Sequence, residues 1–175
     1  MKLWLGVAIG LALLAPSALA GEKPGGVKGP GAAAAAGTMG VDGTYELSRR
    51  VMADKTVIAP PAMIALYDLH RGRGNFNLFL RNKDGSLASE STITRYTLDA
   101  GRYCEWMLFT TRDNLDGPGF THTPPPVKDH CSPVAHRAGR LEYAPAGEGV
   151  VVSFGPEGFT ATIAGQFTDY WTRVK

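Results

Sequence analysis

Three of the four histidines, His122, His130 and His136, fall in one stretch that also carries Cys131. Imidazole and thiolate are ligands for zinc or copper, so this stretch could hold a metal in an exported protein. The spacings of eight and six residues match no compact metal motif, and a disulfide through Cys131 would remove the thiolate. Solvent-facing loop histidines are the reading the spacing favours. No metal and no other cofactor is expected.

A second set, Asp68, His70, Glu90 and Glu105, lies in or beside segments of β character. Inside a cavity, paired carboxylates or a His–Asp pair could move protons. No spacing forces any two of them together. Charged groups are seldom buried unpaired, so each is expected to be a satisfied polar group or an outer-face charge. Serine nucleophile elbows, phosphate-cradling glycine loops and nucleotide fingerprints are absent. Gly72 and Gly74 flank Arg73 with no following helix and read as a turn. No catalytic residue stands out, and an enzyme with an interior acid–base pair is the weakest of three functional readings.

Aromatic residues carry the remaining chemistry. Tyr45, Phe76, Phe79, Tyr96, Trp106, Phe154, Phe159 and Trp171 are first of all a core. If the chain forms a barrel, Tyr45, Phe76, Leu78, Tyr96, Trp106, Phe154 and Trp171 are the expected lining for one small apolar or amphipathic ligand.

The elements that must position these groups are strands. Arg102 to Thr111 has the densest β-forming and aromatic content, with no Gly or Pro inside it. Strict alternation puts Cys104, Trp106, Leu108 and Thr110 on one face and Tyr103, Glu105, Met107 and Phe109 on the other. Apolar groups on both faces suit a central strand or a barrel strand with a filled interior.

The 175-residue chain opens with Met1-Lys2, an apolar run from Leu3 to Leu14, then Pro16 and Ala18-Leu19-Ala20. Residues 1–20 thus read as a cleaved secretory signal, too short for a membrane span, and the protein as secreted or periplasmic. Two cysteines in an exported chain predict one disulfide, Cys104 to Cys131, closing a loop of about 28 residues worth ~3–4 kcal/mol. Removing Lys2 takes 18 basic residues to 17 against 16 acidic. That balance gives no reason to expect nucleic acid as a partner. Arg49-Arg50 and Arg71-Gly72-Arg73 read as solvated strand ends.

Residues 21–40, with Gly-Gly, Gly-Pro-Gly and five consecutive alanines, read as a disordered linker ahead of a domain at 41–175. Strands are expected over Gly43 to Leu47, Ala62 to Leu69, Asn75 to Leu80, Ser86 to Leu98 and Arg102 to Thr111. Four more follow over Arg140 to Tyr143, Gly149 to Phe154, Phe159 to Ala164 and Gln166 to Lys175. Asn82-Lys83-Asp84-Gly85 is the strongest hairpin signal. Residues 114–138 are rich in Gly, Pro and His and read as a long functional or tethered loop that could meet a protein partner. Eight or nine strands with no helical period predict an all-β fold, an antiparallel up-and-down barrel of about eight strands.

Gly43-Thr44-Tyr45 at the first strand and Tyr170-Trp171-Thr172-Arg173-Val174-Lys175 at the last resemble the lipocalin and wider calycin pattern. There a Gly-x-Trp starts the barrel and a late arginine packs over the aromatic ring. Tyr45 stands in the place of the tryptophan, and Arg173 could be the arginine. The resemblance implies a small barrel closed by this pair, carrying an apolar ligand without catalysis.

Overall fold

The computed structural model describes residues 40–82, 84–99, 101–124, 129–145 and 149–175. The expected signal, residues 1–20, and the expected linker up to residue 39 lie outside them. Within them the secondary structure is all strand: β1 (Gly43–Met52), β2 (Val57–Ile58), β3 (Met63–His70), β4 (Arg73–Arg81), β5 (Leu87–Leu98), β6 (Arg102–Asp113), β7 (Phe120–Thr123), β8 (His130–Pro133), β9 (Ala135–Arg137), β10 (Arg140–Tyr143), β11 (Val150–Gly155), β12 (Gly158–Ile163) and β13 (Phe167–Arg173).

These strands make one antiparallel sheet in the order β7-β6-β5-β4-β3-β1-β13-β12-β11-β10-β9, curled into a half-barrel. Each of the nine expected strands is present. The count of thirteen exceeds the expected eight or nine because four short strands join them. β2 folds back on β1, and β7, β8 and β9 occupy the segment expected to be a long irregular loop. That segment finds edges to pair with, which satisfies backbone groups a buried loop would leave open. β8 lies on β6, and β9, one residue further on, lies on β10. Residues 130–137 therefore touch both ends of the meander.

Cys104 and Cys131 face each other in the β6–β8 register and are bonded, the pairing expected for an exported chain. Turn chemistry fits the hairpins. Arg71 and Gly72 both have positive φ, as a two-residue hairpin between β3 and β4 requires. A side chain at Gly158 would meet the Trp171 carbonyl, so only glycine lets β12 run this close to β13.

Two bulges shape the interior. Leu47 pairs with Trp171 but Arg49 with Tyr170, so Ser48 is the extra residue in β1, and its hydroxyl donates to the Tyr170 carbonyl at 2.8 Å. Ile93 pairs with Phe109 but Thr94 with Met107, so Leu108 is the extra residue in β6. Each insertion reverses which side chains point inward. In β1 the buried residues change from Tyr45 and Leu47 to Arg50, and in β6 from Tyr103 and Glu105 to Thr110. This corrects the strict alternation expected through β6.

The core runs along a series of rings. Tyr96, Tyr103, Tyr143, Phe154, Phe159 and Trp171 stack in turn, with centroids 4.0–6.1 Å apart and interplanar angles of 10–29°. Tyr45 meets Phe154 and Phe159 edge-on. Such pairs add about 0.5–1.5 kcal/mol each beyond buried area. Phe79, expected in the core, is on the outer face and 57% exposed.

Candidate functional site

A cavity of about 150 Å³ opens within the curl of the sheet. Its wall is mainly apolar, from Phe76 of β4, Met107 of β6, Val152 of β11, Phe159 and Ile163 of β12 and Trp171 of β13. A dry cavity of this size accepts a molecule on the scale of benzene. Polar side chains of Arg50, Asp169, Glu105, Tyr67, Thr92 and Thr94 interrupt that wall.

Arg50 reaches the wall because of the Ser48 bulge, which turns it inward opposite its register partner Asp169. Its Nε and Nη2 donate to the two carboxylate oxygens of Asp169 at 2.6 and 2.7 Å. The guanidinium also lies 3.7 Å from the ring centroid of Phe167. A bidentate pair plus a stacked ring fixes the plane of the fork. Burial pushes the Asp169 carboxyl above the usual range, and Arg50 works against that rise. The reading of Arg49-Arg50 as solvated strand ends is thus corrected for Arg50, which is 4% exposed. Arg49 is exposed and stacks on Tyr170.

Tyr67 is half-buried on the cavity wall. Its phenol pKa is raised, first by burial and then by the nearby Glu105 carboxylate, so it stays a donor. The indole Nε1 of Trp171 is buried with no hydrogen-bond partner among the described residues. Thr94 Oγ1 also lacks a well-formed hydrogen bond, although it sits near enough to Tyr67 to oppose that phenol's rise. Unsatisfied buried donors cost about 1–3 kcal/mol each. Both atoms are sealed from solvent and from the cavity space, so they add to the cost of the core rather than to the polar surface of the wall.

The second buried ion pair lies between β5 and β6. Glu90, its side chain sealed from solvent, accepts from Arg112 Nε at 3.0 Å, and Thr92 Oγ1 donates to it at 3.3 Å. Arg112 Nη1 binds Asp116 at 2.9 Å. Burial raises the Glu90 carboxyl, opposed by Arg112.

Of the residues expected to line a ligand site, Phe76 and Trp171 are on the cavity wall. Tyr45, Leu78, Tyr96 and Phe154 are packed in the core, and Trp106 is half-buried away from the cavity. Arg173 pairs with Tyr45 in register, donates from Nη2 to the Tyr45 hydroxyl at 2.9 Å and to the Asp42 carbonyl at 2.6 Å, and stands 5.4 Å from the ring centroid. Asp68 and His70 are exposed, and Asp68 accepts from Thr44. Glu90 and Glu105 are buried. His122 and His136 are exposed, and His130 is half-buried with its Nε2 unpartnered. Among the described residues no three His, Cys, Asp or Glu side chains converge as metal ligands. No helix among the described residues is long and apolar enough to cross a membrane.

Asp169, Ile163 and Phe167 are not singled out from the sequence, and Arg50 and Met107 appear there only as a strand end and as part of one strand face. The Thr168-Asp169-Tyr170-Trp171 alternation placed Asp169 on the same face as Trp171, the one usable signal. Comparison with protein-family models, curated proteins and solved structures finds no match.

Proposed function

We propose that this protein is an exported, calycin-type binding barrel that takes up a small apolar or amphipathic molecule and does not transform it. The observation that carries the reading is the cavity of about 150 Å³ with apolar walls and fixed polar groups. Binding sites combine an apolar lining with a few oriented polar atoms in this way, and the volume limits the guest to a single ring or a short chain. The Tyr45–Arg173 contact between the first and last long strands supports the calycin comparison, and the Cys104–Cys131 disulfide supports an oxidising destination.

Mass spectrometry of the protein purified under native conditions tests this. A small lipophilic molecule should leave with the intact protein and be lost on denaturation. Protein that is empty, and whose unfolding midpoint no small apolar compound raises, would contradict the proposal.

One observation favours a second reading, a protein-interaction module presenting residues 114–138. Phe120 is 69% exposed on β7, on the edge of the sheet where Phe109 and His122 also meet, with ring centroids 5.1 Å apart. A partner held there would be lost on Phe120→Ser with ligand carriage unchanged.

A further inference from the structure

Asp169 occupies Nε and Nη2 of Arg50, and the Nη1 edge of the guanidinium makes no hydrogen bond among the described residues. Arg50 is nevertheless part of the cavity wall, and its plane is held by Phe167. A buried fork with one edge spent on a carboxylate and one edge spare is suited to receive a further acceptor. The protonated Tyr67 phenol belongs to the same wall, whereas the Trp171 Nε1 is sealed from solvent and faces no open space. The spare edge of Arg50 is therefore the donor with a reason to meet a guest.

Charge decides which acceptor fits. Asp169 already neutralises Arg50. An anionic ligand would give up its hydration to enter a site where Arg50, the cation on the wall among the described residues, is already matched. A neutral acceptor loses less and still meets a charge-assisted donor. We infer that the cavity selects a neutral, mostly apolar molecule of about one ring with a single carbonyl-type acceptor, such as a ketone, ester or lactone, held by the spare edge of Arg50. This rests on the ligand-binding reading above and adds the polar half of the ligand.

The test is a calorimetric titration of the full mature chain with three probes of similar size, cumene, acetophenone and benzoate. Acetophenone should bind about tenfold more tightly than cumene, the gain from one hydrogen bond to a charged donor. Benzoate should bind more weakly than acetophenone. Cumene binding as well as acetophenone, or benzoate binding best, would overturn the inference and leave the cavity-binding reading standing. Binding of none of the three would overturn both.

Arg50→Met alone strands Asp169 and risks unfolding, so the variant used is Arg50→Met with Asp169→Leu, which replaces the pair by apolar groups. In it, cumene affinity should stay within a few-fold of wild type, and the preference for acetophenone should vanish. A preference that survives would assign the donor to another group and overturn the role of Arg50. If the double variant fails to fold, the wild-type ranking of the three probes decides.

Discussion

The two buried ion pairs are built by the same device and left in different surroundings. In each, a one-residue bulge turns an arginine inward onto a carboxylate directly across the strand: Ser48 precedes Arg50, opposite Asp169, and Leu108 precedes Arg112, opposite Glu90. Both carboxyls are pushed up by burial and pulled back by their arginines. The Glu90 pair is closed on itself, because Arg112 also binds Asp116 and Thr92 also binds Glu90. The Asp169 pair lies on the cavity wall, with an aromatic ring under the guanidinium and one edge of the fork unused among the described residues. A completed network fixes strands; an incomplete one beside open space is where the proposed ligand would dock.

The largest effect expected from breaking this comparison is Arg50→Met. It leaves Asp169 buried without its partner, and unfolding in denaturant should show a loss of about 3–5 kcal/mol. The double variant with Asp169→Leu should recover most of that loss, because the pair as a whole is close to neutral against apolar replacements. Arg112→Met should cost less, about 2 kcal/mol, since Thr92 still holds Glu90 and Asp116 is free to return to water. Equal losses at the two sites would mean that the extra contacts around Glu90 carry no weight.

Arg173 is a third arginine without a carboxylate partner among the described residues, resting on Tyr45 and main-chain carbonyls. Arg173→Ala should lower stability by about 1–2 kcal/mol. Combined with Tyr45→Phe it should lose less than the sum, because the two side chains touch.

The smallest effect is in pH. Both buried carboxyls have folded-state pKa values above their ordinary ones. The folded state therefore binds protons more tightly than the unfolded state. Their contribution to stability is fully present below the ordinary carboxylate pKa and is lost as pH rises through the raised folded value. Asp169→Asn and Glu90→Gln should each flatten that part of the stability–pH curve, and an unchanged slope in both variants would place the titration elsewhere.

The sequence made the long strands, the pairing of β4 with β5 and the disulfide legible, because alternation, turn residues and cysteine count each leave a direct mark. It concealed the bulges. Ser48 and Leu108 are ordinary strand residues, and nothing in their type says that one position is extra. With that shift unseen, Arg50 falls on the outer face and Trp106 looks equivalent to residues that line an interior. The hairpin joining β9 to β10 was hidden in a similar way, since it puts Ala138, an unlikely residue for positive φ, beside Gly139. Of the four short strands, β2, β7 and β9 pair with their chain neighbours β1, β6 and β10, and their brevity left little alternation to read; β8 pairs with β6 past an intervening strand.

The central claim, a ligand cavity beside the unfinished Arg50–Asp169 pair, is tested most directly by methyl NMR during titration with acetophenone. The methyl groups of Met107, Val150, Val152 and Ile163 on the cavity wall should shift with saturable dependence on concentration. Those of Leu80 and Leu141, packed in the core away from the cavity, should stay in place. Shifts confined to the outer-face residues Ile64 and Leu66, or no saturable shift at the wall, would contradict the account.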